Sequence, residues 1–281
     1  MAAQLPARPA HGSLFASAAG AGHDESMGDG LSRVFVIGMG EVGRRLAAVL
    51  ARGGSEVVAV TRDSGWGRAG SREPGARLVC VREERLGEVL ARLEGVGGDS
   101  LALIQNGWIR PLLDAFPGAT RGLIWFNSKG DFFSVLRPSP FSGPLAAALA
   151  TVLDAAGIPS DAEDEGAFRR HEAEKMGFNC VVGLPLAVHG VALGEYLDRF
   201  ADEAEALFTE TTTTCAAELG VDADPGWWAG FCATVAPLAE TRASAAKALE
   251  LRSGAVLRLA RRSGARVPVT ERLLAAAGYV V

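Results

Sequence analysis

The feature that most constrains the fold of this chain is a glycine-rich turn between a run typical of a strand and a run typical of a helix. The strand-like run RVFVIG (33–38) is apolar and rich in β-branched residues, and it leads directly into GMGEVG (38–43). RRLAAVLAR (44–52) follows with helical spacing, and EVVAV (56–60) has the composition of a second strand. This order predicts a βαβ unit and therefore a doubly wound, parallel sheet.

The three glycines of GMGEVG have separate tasks in such a unit. Gly38 allows the tight turn, Gly40 lets the backbone approach a pyrophosphate, and Gly43 lets the helix pack closely on the strand. The start of the helix adds free N–H donors and the positive end of its dipole. The turn is therefore a predicted dinucleotide-binding site, with contacts from Gly38, Met39, Gly40, Glu41, Val42 and Gly43.

The residues after the second strand bear on the choice between NADP and NAD. An arginine at this place accommodates the 2′-phosphate of NADP, whereas an acid binds the 2′-hydroxyl of NAD. Arg62 comes first here, Asp63 follows, and the loop beyond adds Arg68 and Arg72. Guanidinium groups suit phosphate, so the sequence favours NADP with Arg62 as a phosphate ligand. Asp63 keeps NAD open if the register slips by one residue, and a solvated loop pair is a further interpretation.

Further strand-like runs extend the predicted sheet. They are ARLVCV (76–81), SLALIQ (100–105) and RGLIWFN (121–127), and an amphipathic helix, ERLGEVLARLEG (84–95), separates the first two. Arg82 follows the first run and Asn106 follows the second. Ligands bind at the carboxyl ends of parallel strands, so both residues are candidates for the cofactor pocket. For Asn106, an ordinary Asn-Gly turn explains the sequence equally well.

The chain divides into three parts by composition. Residues 1–30 are rich in Ala, Gly and Ser without helical periodicity, and we expect a disordered tail, with an organelle-targeting segment as the alternative. Residues 31–160 form the predicted Rossmann-type domain. After IPSDAEDE (158–165) the pattern is helical to the end, so residues 161–281 are expected to form an all-α domain carrying the substrate and catalytic groups. The fold class is α/β.

Charge and composition limit the classes of molecule that the protein is expected to bind. A net charge of -5 and a pI near 5.5 argue against nucleic acid and anionic membrane surfaces. No apolar run approaches the roughly 20 residues that a spanning helix needs. Four scattered cysteines without CxxC spacing read as reduced thiols, and no metal site is visible, so we expect a cytoplasmic protein. The apolar helix faces are consistent with either core or a homodimer interface.

The segment HEAEKMGFNCVVG (171–183) begins the helical part and carries the most distinctive polar pair. Positions four apart lie on one face of a helix, so Lys175 and Asn179 point into the same largely apolar volume. A lysine that keeps its ammonium in water at the helix surface is the simpler interpretation. The segment lies where a helical domain would close over a dinucleotide.

Residues 33 to about 275 resemble the ketopantoate reductases, a family related to 6-phosphogluconate dehydrogenase. GMGEVG resembles the family's cofactor loop, and Arg62 stands where an NADP-binding arginine is usual. The QNG run (105–107) is similar to a strand-ending His/Gln-Asn-Gly, and Arg82 takes the place of a common lysine.

The helical part continues the resemblance. KMGFNCVVG (175–183) resembles a family signature in which a lysine and, four residues on, an asparagine begin the helix that faces the nicotinamide. SGAVLRLARRSGARVPVTERL (253–273) resembles the family's C-terminal helix. The resemblance implies reduction of a small 2-keto acid by NADPH, with Lys175 supplying the proton and Asn179 orienting the substrate.

Several positions depart from the family pattern at the substrate site. Gly183 stands where a second asparagine is usual, and Ala248 replaces a glutamate. Glu250 is the nearest carboxylate and Ser244 the nearest serine, so we expect Gly183, Ser244 and Glu250 at the substrate site. Because two residues turn a helix by about 200°, Glu250 is expected to face away unless the backbone bulges. A dinucleotide-binding protein without catalysis, or a reductase of another carbonyl or imine, is the alternative.

Overall fold

The structure is a computed structural model, and it describes residues 31–71, 73–130, 132–243 and 245–280. The tail expected at residues 1–30 and the substrate position expected at Ser244 lie outside these ranges. The prediction of an α/β protein is confirmed: a mostly parallel sheet with helices on both faces precedes a helical region.

A seven-stranded sheet forms the first half of the protein, in the order β2-β1-β3-β4-β5-β8-β9. Its strands are β1 (Arg33–Ile37), β2 (Glu56–Val60), β3 (Ala76–Val79), β4 (Leu101–Leu103), β5 (Thr120–Gly122), β8 (Ser139–Ser142) and β9 (Ser160–Ala162). Neighbours are parallel except β5 and β8, which run antiparallel. The carboxyl ends of β1, β3 and β4 therefore meet at one edge.

The run at 121–127, expected to be a single strand, is divided between two sheets. Its start belongs to β5, and its end belongs to β6 (Phe126–Lys129), which pairs antiparallel with β7 (Phe132–Val135). The continuous apolar pattern hid this division, because Leu123 and Trp125, which lie between the two strands, are buried like Phe126 at the start of β6. The prediction of one continuous strand is wrong.

Four helices cover the sheet: α1 (Glu41–Arg52), α2 (Trp66–Ala69), α3 (Leu86–Ala91) and α4 (Ala146–Ala155). The side chains of β1 alternate between two apolar cores, so that Val34 and Val36 pack with α1 and α4 while Phe35 and Ile37 pack with α2 and α3. This two-sided burial explains why the strand sequences are continuously apolar.

The helical region begins soon after β9, which extends the sheet to Ala162, two residues past the expected boundary. Asp164 caps the first helix, since its carboxylate accepts the backbone N–H of Ala167 at 2.8 Å. The helices are α5 (Glu165–Val181), α6 (Leu184–His189), α7 (Leu193–Arg199), α8 (Ala201–Leu219), α9 (Trp227–Val235), α10 (Ser253–Ser263) and α11 (Pro268–Ala276).

Helix α5 is the central element of this region and carries the Lys175–Asn179 pair. At Gly177 it lies so close to α8 that an added Cβ would come within 2.6 Å of Thr212 and 2.7 Å of Phe208. Because α5 is buried on several faces, polar groups on it must find partners or a ligand.

Among the described residues, no helix combines the length and apolar character that a membrane span requires. In the same part of the chain, no group of three or more His, Cys, Asp or Glu side chains is placed to hold a metal ion. The four cysteines are free thiols.

Candidate functional site

A cleft of about 560 Å³ lies between the carboxyl edge of the sheet and the helical region. Its sheet side is formed by the glycine-rich turn and the residues after β3 and β4, and its other side by α5 and the segment before α10. Eight residues predicted from the sequence line it: Gly40, Glu41, Val42, Arg82, Asn106, Lys175, Asn179 and Gly183. The fold thus brings together groups from both halves of the chain.

The glycine-rich turn has the geometry that its sequence predicts. Gly38 has φ +100°, and its N–H donates to Val60 O at 2.9 Å. A Cβ on Gly43 would lie 1.9 Å from the carbonyl oxygen of Gly38, so only glycine allows α1 to pack against the turn. A Cβ on Gly40 would meet nothing within 4 Å, because this residue faces the open cleft. Met39 belongs to the turn but does not line the cleft, and neither do Gly38 and Gly43.

The loop after β4 is tied both to β3 and to the helical region. Gln105 Nε2 donates to the carbonyl oxygens of Val79 and Val81, at 2.7 and 3.2 Å. Gly107 has φ +82°, so the Asn-Gly turn is present, and Asn106 lines the cleft as well. The turn is therefore confirmed, and the role of Asn106 as a cofactor contact stays a prediction.

Arg62 lies at the carboxyl end of β2, beside the glycine-rich turn, but it is exposed and outside the cleft lining. Asp63 is equally exposed, in a turn closed by Thr61 N–H to Ser64 O at 3.1 Å. Arg68 binds Glu73 at 3.2 Å. Arg72 lies outside the described residues. Arg62 is therefore better placed than Arg68 for a ligand phosphate.

Lys175 is buried, with 5% of its surface exposed, so the interpretation as a surface lysine is wrong. Its Nζ donates to Ile124 O at 3.0 Å and lies 3.5 Å from the ring centre of Trp125 and 4.5 Å from that of Phe178. Aromatic faces attract a cation but solvate it less well than water does.

The pKa of Lys175 is well below its ordinary value. Burial is the first cause, because it disfavours the charged form, and the positive charges of Arg252 and Arg137 act in the same direction. Glu174 opposes the shift. A lysine with these surroundings releases its proton more readily than one in water.

Asn179 lies one turn further along α5 and is also 5% exposed. Its Nδ2 is buried and has no hydrogen-bonding partner in the part of the chain that the structure describes. A buried, unpaired amide donor beside a cleft is unusual and is satisfied when a ligand supplies an acceptor. Gly183, a further turn along, lines the same wall without a side chain, and a Cβ there would lie 3.0 Å from Asn179 O.

The structure does not bring Glu250 to the cleft. Its side chain is 69% exposed and pairs with Arg258 at 2.8 Å, which agrees with the expectation that it faces away. Ala248 has φ +48°, the left-handed region that favours glycine, and it is buried. The acidic substrate contact proposed for this segment is therefore missing among the described residues.

An ion pair in the cleft wall and an aromatic contact of Lys175 were not predicted. Arg252 and Glu83 both line it and form an ion pair of 2.5 Å, although they lie 169 residues apart in the chain. No local pattern could have joined them, since the pairing depends on how the helical region packs against β3. Trp125 was predicted only as part of a strand, and its contact with Lys175 likewise depends on tertiary packing.

A buried ion cluster fixes α5 to the sheet one turn before Lys175. Glu172, which is 2% exposed, binds Arg110 at 2.6 Å and Arg121 of β5 at 3.5 Å. Burial lowers the pKa of Arg121, because its charge has lost contact with water. Arg110 also binds Glu165, at 3.2 Å.

The fold and cleft define a two-part α/β protein in which a glycine-rich turn faces a buried lysine from a helical region. Solved structures share this fold. A D-mandelate dehydrogenase in complex with NADH has 14% sequence identity and a TM-score of 0.70, over 88% of this chain and 97% of the other. The 2-dehydropantoate 2-reductase of Methylococcus capsulatus has 19% identity and a TM-score of 0.70, over 86% and 94%.

A third structure, the dimeric ketopantoate reductase of Staphylococcus aureus, has 14% identity and a TM-score of 0.69, over 88% of this chain and 99% of the other. No family model and no curated protein sequence matches the chain. The protein therefore has the fold of the ketopantoate reductases, as the sequence resemblance predicts.

Proposed function

We propose that the protein is a nicotinamide-dependent reductase of a 2-oxo acid, using NADPH as hydride donor and Lys175 as proton donor. The observation that carries the proposal is the buried Lys175–Asn179 pair facing a glycine-rich turn across one cleft. The shared fold with a D-mandelate dehydrogenase and with ketopantoate reductases supports it.

The cleft fits a dinucleotide. The open position at Gly40 lets a pyrophosphate approach the backbone, and the start of α1 offers its free N–H groups. Arg82 and Asn106 line the wall beyond the turn and are proposed cofactor contacts. When bound, the nicotinamide supplies the hydride for the carbonyl carbon.

Lys175 is proposed to give its proton to the carbonyl oxygen as that atom gains negative charge. Its lowered pKa makes it a better acid, and its charge stabilises the oxyanion before the proton moves. The hydrogen bond to Ile124 O and the ring of Trp125 fix where Nζ lies. The product is a 2-hydroxy acid.

Asn179 is proposed to orient the substrate by hydrogen bonds. Its Nδ2 has no partner, so a carbonyl or carboxylate oxygen of the ligand would satisfy it. Removing this amide should therefore weaken substrate binding and leave cofactor binding unchanged.

NADPH is proposed in preference to NADH because Arg62 is exposed at the end of β2 and has no ion-pair partner among the described residues. The test compares dissociation constants for both cofactors in wild type and in Arg62→Ala. We expect weaker NADPH binding and little change for NADH. Arg68→Ala is the matched control, since Arg68 is engaged by Glu73. Equal affinity of the wild type for both cofactors would contradict the preference.

The substrate need not be ketopantoate. Ala248 and Gly183 offer no polar side chain where the family has an acid and an amide, and Glu250 points away. These two positions favour a 2-oxo acid without a hydroxyl on its side chain. They also favour the second candidate function, a dinucleotide-binding protein that has lost catalysis.

One assay separates the two functions. The full chain is mixed with NADPH and a panel of 2-oxo acids, including ketopantoate and phenylglyoxylate, and NADPH oxidation is followed, with Lys175→Met as the comparison. Turnover that depends on Lys175 supports the reductase. NADPH binding without turnover on any member supports the binding protein.

We also propose a homodimer, supported by the dimeric state given for the Staphylococcus aureus enzyme that shares the fold. Light scattering of the purified protein tests this, and a monomeric mass at assay concentration would contradict it.

A further inference from the structure

Arg252 is the arginine most closely associated with Lys175 in the cleft. It lies just before α10, and its side chain, 16% exposed, reaches across to Glu83 in the turn after β3. After burial, its positive charge contributes most to lowering the pKa of Lys175. It therefore stands between the two halves of the molecule, beside the group proposed to protonate the substrate.

The guanidinium of Arg252 has more donors than partners. Such a group carries five N–H donors in a planar fork that matches a carboxylate. Among the residues that the structure describes, its side chain has one hydrogen-bonding partner, Glu83, which accepts from Nη2. Nε is buried without a partner. This unsatisfied capacity indicates a ligand with acceptor oxygens.

The charges at this end of the cleft are unbalanced. Five cationic side chains line the cleft against two acids, Glu41 and Glu83; the cations are Arg82, Lys175, Arg242, Lys247 and Arg252. Glu250 is engaged by Arg258 on the outside, and Ala248, which occupies the position of the family's acid, carries no charge. An anionic ligand beside Arg252 would offset part of this excess positive charge.

The other arginine that influences Lys175 is poorly placed to bind a ligand. Arg137 binds Glu174 at 2.6 Å, stacks on Trp125 at 4.7 Å, and does not line the cleft. Arg242 does line the cleft, but it is exposed and is not among the charges that shift the pKa of Lys175.

The backbone before α10 holds Arg252 in this position. The left-handed turn at Ala248 is closed by the N–H of Arg252, which donates to Ala248 O at 3.0 Å. Gly107 lies against the same segment, and Trp108 N–H donates to Leu251 O at 2.6 Å. The segment is therefore attached to the loop that carries Asn106.

From this geometry we infer that Arg252 binds the carboxylate of the 2-oxo acid, with Glu83 holding the guanidinium in place. The inference rests on the proposed reductase function and adds a residue that selects negatively charged substrates. It predicts that the enzyme discriminates between a 2-oxo acid and a neutral ester of the same shape.

The test measures kcat/KM for phenylglyoxylate and for its methyl ester in wild type and in Arg252→Leu. Loss of a buried, hydrogen-bonded charge partner should lower kcat/KM for the acid by about 30-fold or more. The ester, which has no charge to lose, should change by only a few fold. The change for the acid should be mainly a rise in KM. The dissociation constant for NADPH should be unchanged.

Arg258→Leu is the matched control, because Arg258 lies on α10 outside the cleft. It should leave the ratio of acid to ester unchanged. Glu83→Gln is the second variant if Arg252→Leu does not fold. The glutamine still accepts a hydrogen bond from Arg252 but no longer competes with the substrate carboxylate for its charge. The ratio of kcat/KM for the acid to that for the ester should then rise.

The outcomes separate this inference from the proposed function. Turnover with an unchanged acid-to-ester ratio in Arg252→Leu overturns the role of Arg252 alone. Absence of turnover in wild type counts against the reductase, and oxamate binding measured by calorimetry then replaces kinetics. Oxamate binding that Arg252→Leu abolishes supports the inference. Binding that survives the change, or no binding to wild type, overturns it.

Discussion

The cluster of Glu172, Arg110 and Arg121 gives a sharp prediction about stability. Glu172→Gln keeps the shape of the side chain and removes its charge. Arg121, which is 4% exposed, then loses its acidic partner and keeps a charge that water cannot reach. We expect the free energy of unfolding to fall by about 3–5 kcal/mol, the usual result of breaking a buried ion pair from one side.

The distances support this magnitude. At 3.5 Å, the attraction between Glu172 and Arg121 is about 5 kcal/mol with an effective dielectric constant near 20, before the loss of hydration is subtracted. Arg110 lies closer, at 2.6 Å, but its side chain is 25% exposed, so water screens part of that attraction. Removing both charges as Glu172→Met with Arg121→Met should restore most of the stability, since no unpaired charge stays buried.

Urea unfolding followed by circular dichroism measures these differences in the free energy of unfolding. Urea carries no charge, so it does not screen the ion pairs. Glu165→Gln is the matched control, because Glu165 also binds Arg110 but its side chain is 51% exposed. It should lower stability by less than about 1 kcal/mol. The reasoning is refuted if Glu172→Gln costs no more than Glu165→Gln, or if the double variant is as unstable as the single one.

Three further predictions concern the turn, the strained residue and the buried lysine. Gly43→Ala should lower stability by about 1–3 kcal/mol, because its Cβ would lie 1.9 Å from Gly38 O. Gly40→Ala should leave the melting temperature unchanged and weaken NADPH binding in a titration by about tenfold; equal melting temperatures for both variants would contradict this. Ala248→Gly should raise stability in urea by about 1 kcal/mol, since φ is +48°, and a loss would show that the turn is not strained. Because the pKa of Lys175 is lowered on folding, the unfolded chain binds the extra proton, so stability should rise with pH up to the ordinary lysine value of 10.5. Lys175→Met should reduce this slope by at most about 1.4 kcal/mol per pH unit, and an identical slope in both proteins would argue that Lys175 stays charged.

Features that depend on neighbouring residues could be predicted from the sequence. The roles of Gly38 and Gly43 follow from a turn of six residues, and their backbone geometry confirms them. The shared location of Lys175 and Asn179 follows from helical periodicity alone. Burial of Lys175 could not be derived in that way, and the family resemblance was needed to favour it.

Features that depend on distant packing could not be predicted. The run at 121–127 is apolar throughout, and this pattern does not reveal where one sheet ends and a hairpin begins. The pair Glu83–Arg252 and the pair Arg121–Glu172 each join the sheet to the helical region. Their residue types are common at surfaces, so only the assembled fold identifies them as buried partners.

The measurement that tests the central claim most directly is the rate of NADPH oxidation by the full chain with a 2-oxo acid, in wild type and in Lys175→Met. The account predicts turnover on at least one acid in the panel, a fall in kcat of about 10²-fold or more in the variant, and unchanged NADPH binding. A variant that binds NADPH and reduces the acid as fast as wild type would contradict the role of Lys175 as proton donor.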